Sequence, residues 1–339
     1  MAAPFVRKLV ARQDLSEDEM SAVMNSLLDG HLAEAEIAAL LVGMAAKGET
    51  AGEIASAARA MRRRALRVQV VGGRAVDTVG TGGDDSGSFN ISTTSAFVVA
   101  GAGVVVAKHG NRGVSSRCGS ADVLEALGLN LAADPEHVEE AINEIGIGFL
   151  FAPLYHSAMR HAAPVRKTLG IRSLFNMLGP LTNPAGATAQ LIGVYAPQLT
   201  ETFAETLRLL GSRHAFVVHG HDGMDEITVT APTRISELRE GQIRTTEFDP
   251  ATVFGGYADP AELAGGAADE NAVILREILA GRDRSARRNV VLINSAYSLL
   301  AADQAASLDA ALQMAAESID SGRALAKLEA LIARMKNAD

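Results

Sequence analysis

Gly80-Thr81-Gly82-Gly83-Asp84, followed by Asn90-Ile91-Ser92-Thr93, is the stretch that decides the fold. It leaves an apolar, β-branched run at 75–79 and leads into the apolar residues Ala96 to Ala100, so it reads as strand, glycine turn and helix. Glycines let the backbone turn sharply and bring bare amides close to an anion. The helix that Asn90, Ser92 and Thr93 open adds its free amides and the positive end of its dipole. Further on, Lys108-His109-Gly110-Asn111-Arg112 follows a second strand-like run at 104–107 and contributes two full positive charges. Two such loops suit a ligand that carries phosphates at two separated places.

Outward from these loops, the strand–loop–helix pattern repeats. Strands are expected at 75–79, 104–107, 147–151, 190–195 and 214–219, with helices beginning near Ser92, Ser120, Asp134, His156 and Thr200. Repeated βα units imply a mostly parallel central sheet with helices on both faces and ligands at the carboxyl ends of the strands. The stretch 226–247, rich in Thr, Ile and Val, predicts antiparallel edge strands. The first seventy residues look purely helical. Ser16 with Glu19 and Thr50 with Glu53 make capping boxes, and another helix covers 33–46. Arg62, Arg63 and Arg64 end the third helix, where a C-terminus favours cations. Two or three Ala/Leu-rich helices close the chain between Arg287 and Lys336. The fold class is α/β, a small all-helical domain plus a larger α/β domain.

Composition narrows the function. The chain has 339 residues, 48% hydrophobic and 21% charged, and a net charge of −9. That balance argues against nucleic acid as partner, which needs a basic face. No apolar run approaches the roughly 20 residues of a membrane helix, so no membrane partner is expected. A lone cysteine, Cys118, excludes an internal disulfide framework and a cysteine metal cluster, and is expected to be buried and inert. The mildly basic start, 1–12, lacks a signal-peptide core, and a cytoplasmic location is expected.

The motifs at 80–84, 90–93, 108–112 and 119–128 together resemble the anthranilate phosphoribosyltransferase family. His156 to Arg166, the run Phe175-Asn176-Met177-Leu178-Gly179-Pro180-Leu181-Thr182-Asn183-Pro184, and Asp225-Glu226 extend the likeness. The resemblance implies a helical domain of residues 1–70 with a returning segment near 165–185, through which two copies pair as a homodimer. Residues 71–164 and 186–339 would then form the α/β domain that binds phosphoribosyl pyrophosphate. The implied reaction moves the 5-phosphoribosyl group onto the amine of anthranilate, with Mg2+ (two ions) as cofactor, in tryptophan biosynthesis.

By the same resemblance, Gly80, Gly83, Asp84, Ser88, Asn90, Ile91, Ser92 and Thr93 contact phosphoribosyl pyrophosphate. So do Lys108, His109, Gly110, Asn111, Arg112, Ser115, Ser116 and Ser120. Ser92, Asp225 and Glu226 would hold metal, since magnesium takes hard oxygen ligands. Anthranilate is a planar anion and needs a cation, apolar walls and a polar group near its amine. Arg166 is expected to face its carboxylate, with Gly80, Asn111, His156 and Pro180 around it. An aniline-type amine is neutral at pH 7 and attacks without a strong base, so no general base is assigned, although His109 stands as a candidate.

Three residues depart from the family pattern: Asp85 replaces a glycine, Ser157 a proline, and Cys118 stands where small residues vary. A pyrimidine nucleoside phosphorylase of the same fold would carry another glycine loop and no Lys-His-Gly-Asn-Arg. A non-catalytic, nucleic-acid-binding relative would have lost Asp225-Glu226 or Arg166. A transferase acting on another aromatic amine would share every motif.

Overall fold

Seven strands form a single sheet in the computed structural model, which describes residues 2–84, 86–113 and 117–336. Its order is β3-β2-β1-β4-β5-β6-β7, with β1 at Val76–Gly80, β2 at Val106–Gly110, β3 at Ile147–Phe151, β4 at Ala189–Gly193, β5 at His214–Gly220, β6 at Thr233–Arg239 and β7 at Gln242–Phe248. The first five run parallel, and β6 and β7 add an antiparallel hairpin to the β5 edge. The segment 226–232, expected to begin the edge strands, is irregular and bent instead, and the first of them starts at Thr233.

Alternation along the strands divides the core between two faces. In β5, Phe216 and Val218 join a cluster with the helices Ile91–Gly101, Ala268–Leu279, Ala286–Ala301, Leu308–Asp320 and Arg323–Lys336. Ala215 and Val217 point the other way, with Ile192 of β4, into a cluster built from Glu17–Leu28, Glu34–Lys47, Ala51–Arg64 and Leu199–Leu209. Ala162, Val165, Leu174, Phe175, Met177, Leu178 and Leu181 belong to that second cluster. Helices therefore cover both faces of the sheet.

Both N-terminal capping boxes are formed, each with its serine or threonine oxygen accepting from the amide of the glutamate three residues on. Glu53 also accepts from the Leu15 amide and from Lys47, so one buried carboxylate knots three helical segments. The arginines after Ala60 do more than complement a dipole. Arg62 donates to the Leu181 carbonyl at 2.7 Å and Arg64 pairs with Asp29 at 2.9 Å, tying the helix to its neighbours.

Two further expectations differ from the structure. The second loop starts later than expected, because β2 continues through Lys108 and His109, in register with Phe149 and Leu150 of β3. No single helix begins near His156: the chain makes the short turn Ala152–Tyr155, a 3-10 turn at Ser157–His161, and the helix Ala163–Leu169. Pro153 and Pro164 sit in the first turns of their helices, where a residue without an amide hydrogen starts a helix more readily than it continues one. Among the described residues no helix is long and apolar enough to cross a membrane.

Candidate active site

The two glycine-rich loops leave neighbouring parallel strands. β1 has β2 on one side and β4 on the other, so the crevice beyond its carboxyl end is the topological switch point, where open α/β sheets bind ligands. Asp225 and Glu226 reach this crevice from beyond β5. A side chain at Gly193, the last residue of β4, would collide with the Asp225 backbone carbonyl, and one at Gly80 with its carboxylate. Bare backbone at both positions is what lets the acid settle against the loop.

Hydrogen bonds complete the convergence. Gly82 N donates to Asp225 Oδ2 at 2.8 Å, and Asp225 N lies 3.4 Å from Asp84 Oδ2. Ser92 N donates to Glu226 Oε1 at 3.1 Å. Buried Lys108 donates to the Thr78 carbonyl at 2.6 Å and to Ser92 Oγ at 3.3 Å. Burial pushes the Asp225 carboxyl well above the usual range, reinforced by the charges of Asp84 and Glu226. Burial likewise raises Glu226 to about 8 against the pull of Lys108. Three carboxyl groups facing one lysine leave the crevice short of positive charge. No three metal-ligating side chains among the described residues already converge on one point. The donor set suits a hard divalent ion that completes its shell with water and phosphate oxygens.

Beside this crevice sit two histidines. The rings of His109 and His156 meet edge to face at 5.2 Å, and both are buried. His109 Nδ1 donates to the Gly179 carbonyl at 3.0 Å, and among the described residues Nε2 of neither ring has a partner. Burial lowers His109 to about 3 and His156 to about 4, so both are neutral at pH 7. A neutral His109 offers a lone pair for a hydrogen bond but is a weak proton acceptor.

Other sequence-predicted residues lie around this centre. Ile91 and Thr93 are buried, so Ile91 can offer a ligand only its backbone. Ser88 bonds to Ser86 within the first loop, and Gly83 gives its carbonyl to Arg172. Gly110 ends β2, and Ser120 Oγ exchanges hydrogen bonds with the Asn111 backbone. Arg112 is engaged by Asp122 at 3.0 Å and Glu125 at 2.7 Å. Arg166 stacks over Phe175 at 5.3 Å, with no acidic partner among the described residues, and burial lowers its pKa. Buried Pro180 accepts from Gln190 through its carbonyl. Among the described residues Arg166 makes no side-chain hydrogen bond or ion pair with either glycine loop. Ser115 and Ser116, with Asp85, lie outside the described residues.

Several residues that shape the site escaped the sequence reading. Asp77, wholly buried within β1, accepts from the His109 amide at 3.1 Å and from Asn183 at 2.7 Å. Burial pushes its carboxyl up to about 6. Asn183 also donates to the Ala107 carbonyl, joining the 179–184 turn to β2. An acid inside an apolar strand is a readable signal, because buried charge is kept only where it is paired. Arg172 stacks on Tyr195 at 4.6 Å, and the Tyr195 amide donates to Thr81 Oγ1. Nothing local in the sequence announces that bracket around the first loop.

Comparison with known proteins agrees with this geometry. The family models described as "Glycosyl transferase family, helical bundle domain" and "Glycosyl transferase family, a/b domain" match residues 3–65 and 72–325. An anthranilate phosphoribosyltransferase of Syntrophobacter fumaroxidans is 60% identical over 327 residues, 96% of this chain and 97% of that one. The crystal structure of the Thermus thermophilus anthranilate phosphoribosyltransferase is 43% identical with a TM-score of 0.92, covering 98% of this chain and 99% of that one. The Saccharomyces cerevisiae enzyme, solved in complex with PRPP and Mg, is 28% identical with a TM-score of 0.89, covering 99% and 98%. The chain belongs to the anthranilate phosphoribosyltransferases of this glycosyl transferase family.

Proposed function

We propose that the protein transfers the 5-phosphoribosyl group of phosphoribosyl pyrophosphate to the amine of anthranilate, releasing pyrophosphate, and that the crevice at the end of β1 is where it does so. The observation that carries this reading is the meeting of Gly80–Asp84, Ser92, Lys108, Asp225 and Glu226 at one switch point. The reaction breaks the anomeric C–O bond and gathers positive charge on the ribose ring. It is favoured by neutralising the leaving group and by holding the amine in line.

Ser92, Asp225 and Glu226 are the residues that would hold magnesium, as two ions. When bound, magnesium neutralises the pyrophosphate as it leaves. Lys108 and the amides at the start of helix Ile91–Gly101 bind phosphate oxygens, while Asp84 accepts from ribose hydroxyls. Arg166, a desolvated cation with no counter-charge among the described residues, receives the anthranilate carboxylate. The unpaired Nε2 atoms of His109 and His156 supply acceptors beside the amine, whose proton leaves late, so no strong base is needed.

Residues 1–70 with about 165–185 act as the helical domain through which two copies pair, and 71–164 with 186–339 as the α/β domain. The working location is the cytoplasm. Anthranilate fluorescence tests the reading. A loss of signal that requires protein, phosphoribosyl pyrophosphate and magnesium together supports it, and no loss with folded protein across magnesium concentrations overturns it.

A further inference from the structure

Asn90 occupies the N-cap of helix Ile91–Gly101 yet makes no side-chain cap hydrogen bond. An asparagine there normally accepts from the amide two or three residues on. Here its amide is used elsewhere. Asn90 Oδ1 accepts from Nδ2 of Asn271 at 3.0 Å, and Asn90 Nδ2 donates to the Cys118 carbonyl at 3.1 Å. Asn271, in the helix Ala268–Leu279 and 2% exposed, accepts from the Gly266 amide at 2.8 Å. Each end of this chain is a backbone group with one possible role. The Gly266 N–H can only donate and the Cys118 carbonyl can only accept, so both side-chain amides have a single consistent orientation.

Two consequences follow for the first turn of the helix. The Ser92 amide is taken by Glu226, while the Thr93 amide, which Asn90 would otherwise cap, has no partner among the described residues. The same bridge fastens the start of the helix after the first glycine loop to the segment that follows the second, because Cys118 lies between that loop and helix Ser120–Ala126.

We propose that Asn271 is a positioning residue for phosphoribosyl pyrophosphate: by drawing the Asn90 side chain off the helix cap, it keeps the Thr93 amide open to a phosphate oxygen and holds the two loops together. The proposal rests on the reading of Asn90 and Thr93 as substrate contacts. Without Asn271, Asn90 swings back onto the cap and competes with the substrate for that amide.

A double-mutant cycle tests this, with KM for phosphoribosyl pyrophosphate, KM for anthranilate, kcat and Tm measured on Asn271→Ala, Asn90→Ala and the double variant. Asn271→Ala should raise KM for phosphoribosyl pyrophosphate about tenfold, the scale of one hydrogen bond, with KM for anthranilate little changed. In the Asn90→Ala background, where no side chain can recap the helix, the second change should add nothing. A raised KM in Asn90→Ala with a normal KM in Asn271→Ala overturns the proposal alone. Multiplying effects in the double variant do the same, since Asn271 would then act independently of Asn90. A normal KM in Asn90→Ala overturns the reading of Asn90 as a substrate contact, while a rise in Asn271→Ala that is absent from the double variant upholds the positioning role. If Asn271→Ala fails to fold, Asn271→Asp keeps an acceptor for Gly266 and removes only the donor, and the same cycle is read with it.

Discussion

The buried ring of His109 gives an acid sensitivity whose sign and size follow from the structure. The ring is 3% exposed, its Nδ1 donates to Gly179, and burial beside His156 brings its pKa from 6.5 to about 3. The folded protein therefore refuses a proton that the unfolded chain accepts below pH 6.5. The contribution to stability is complete above that pH and shrinks as pH falls toward the folded value. Between about pH 7.5 and 5 the loss amounts to ~2 kcal/mol, from ~1.4 kcal/mol for each unit below the unfolded pKa. His109→Asn removes this titration while keeping a polar side chain. Urea unfolding of both proteins at the two pH values should show the advantage of the native protein over the variant falling by ~2 kcal/mol at the lower pH. Comparing the two cancels titrations they share, including Asp77, whose raised pKa of about 6 works in the opposite direction. An advantage that is unchanged or larger at pH 5 refutes the neutral-imidazole account.

The other predictions concern the walls of the site. Arg166→Gln should raise KM for anthranilate by roughly 30- to 100-fold, the scale of a charge-assisted hydrogen bond, and leave KM for phosphoribosyl pyrophosphate within about twofold. Equal rises in both constants would dissociate Arg166 from the aromatic substrate. Asp225→Asn combined with Glu226→Gln should lower turnover on the order of 100-fold and shift its magnesium dependence to higher concentration. A titration that overlays the native one would end the metal assignment. Gly193→Ala forces the Asp225 backbone to move and should destabilise the protein by ~1–3 kcal/mol, with turnover falling alongside. Native Tm and turnover together would show that the acid does not depend on that close approach.

Local chemistry made much of the architecture legible. A glycine turn after a β-branched run marked the end of β1, and the paired Ser16/Glu19 and Thr50/Glu53 marked helix starts that are present. Lys108 and His109 misled because polar residues usually signal a loop, whereas here neighbouring backbone and Asp77 accommodate them inside a strand. Around His156, two prolines divided what looked like one helix. The loop glycines and the Asp225-Glu226 pair could be picked out, but their convergence depended on strand order. Asn183 lies within a family motif, but its bonds, like those of Arg172 and Asn271, were not legible because each acts on a group 76 to 181 residues away. The engagement of Arg112 by Asp122 and Glu125 is another property of the folded loop, read only once the chain has turned back on itself.

The contact between Gly82 and Asp225 spans 143 residues of sequence, and that between Ser92 and Glu226 spans 134. During synthesis both glycine loops emerge long before the acids that complete them, so the nascent chain holds half a binding site. Closing so large a loop comes late in folding, after shorter-range contacts have formed. Substrate can then stabilise only the finished protein, by mass action on a state that early fragments do not populate. Ligand-induced protection from proteolysis would accordingly report on completion of the whole fold.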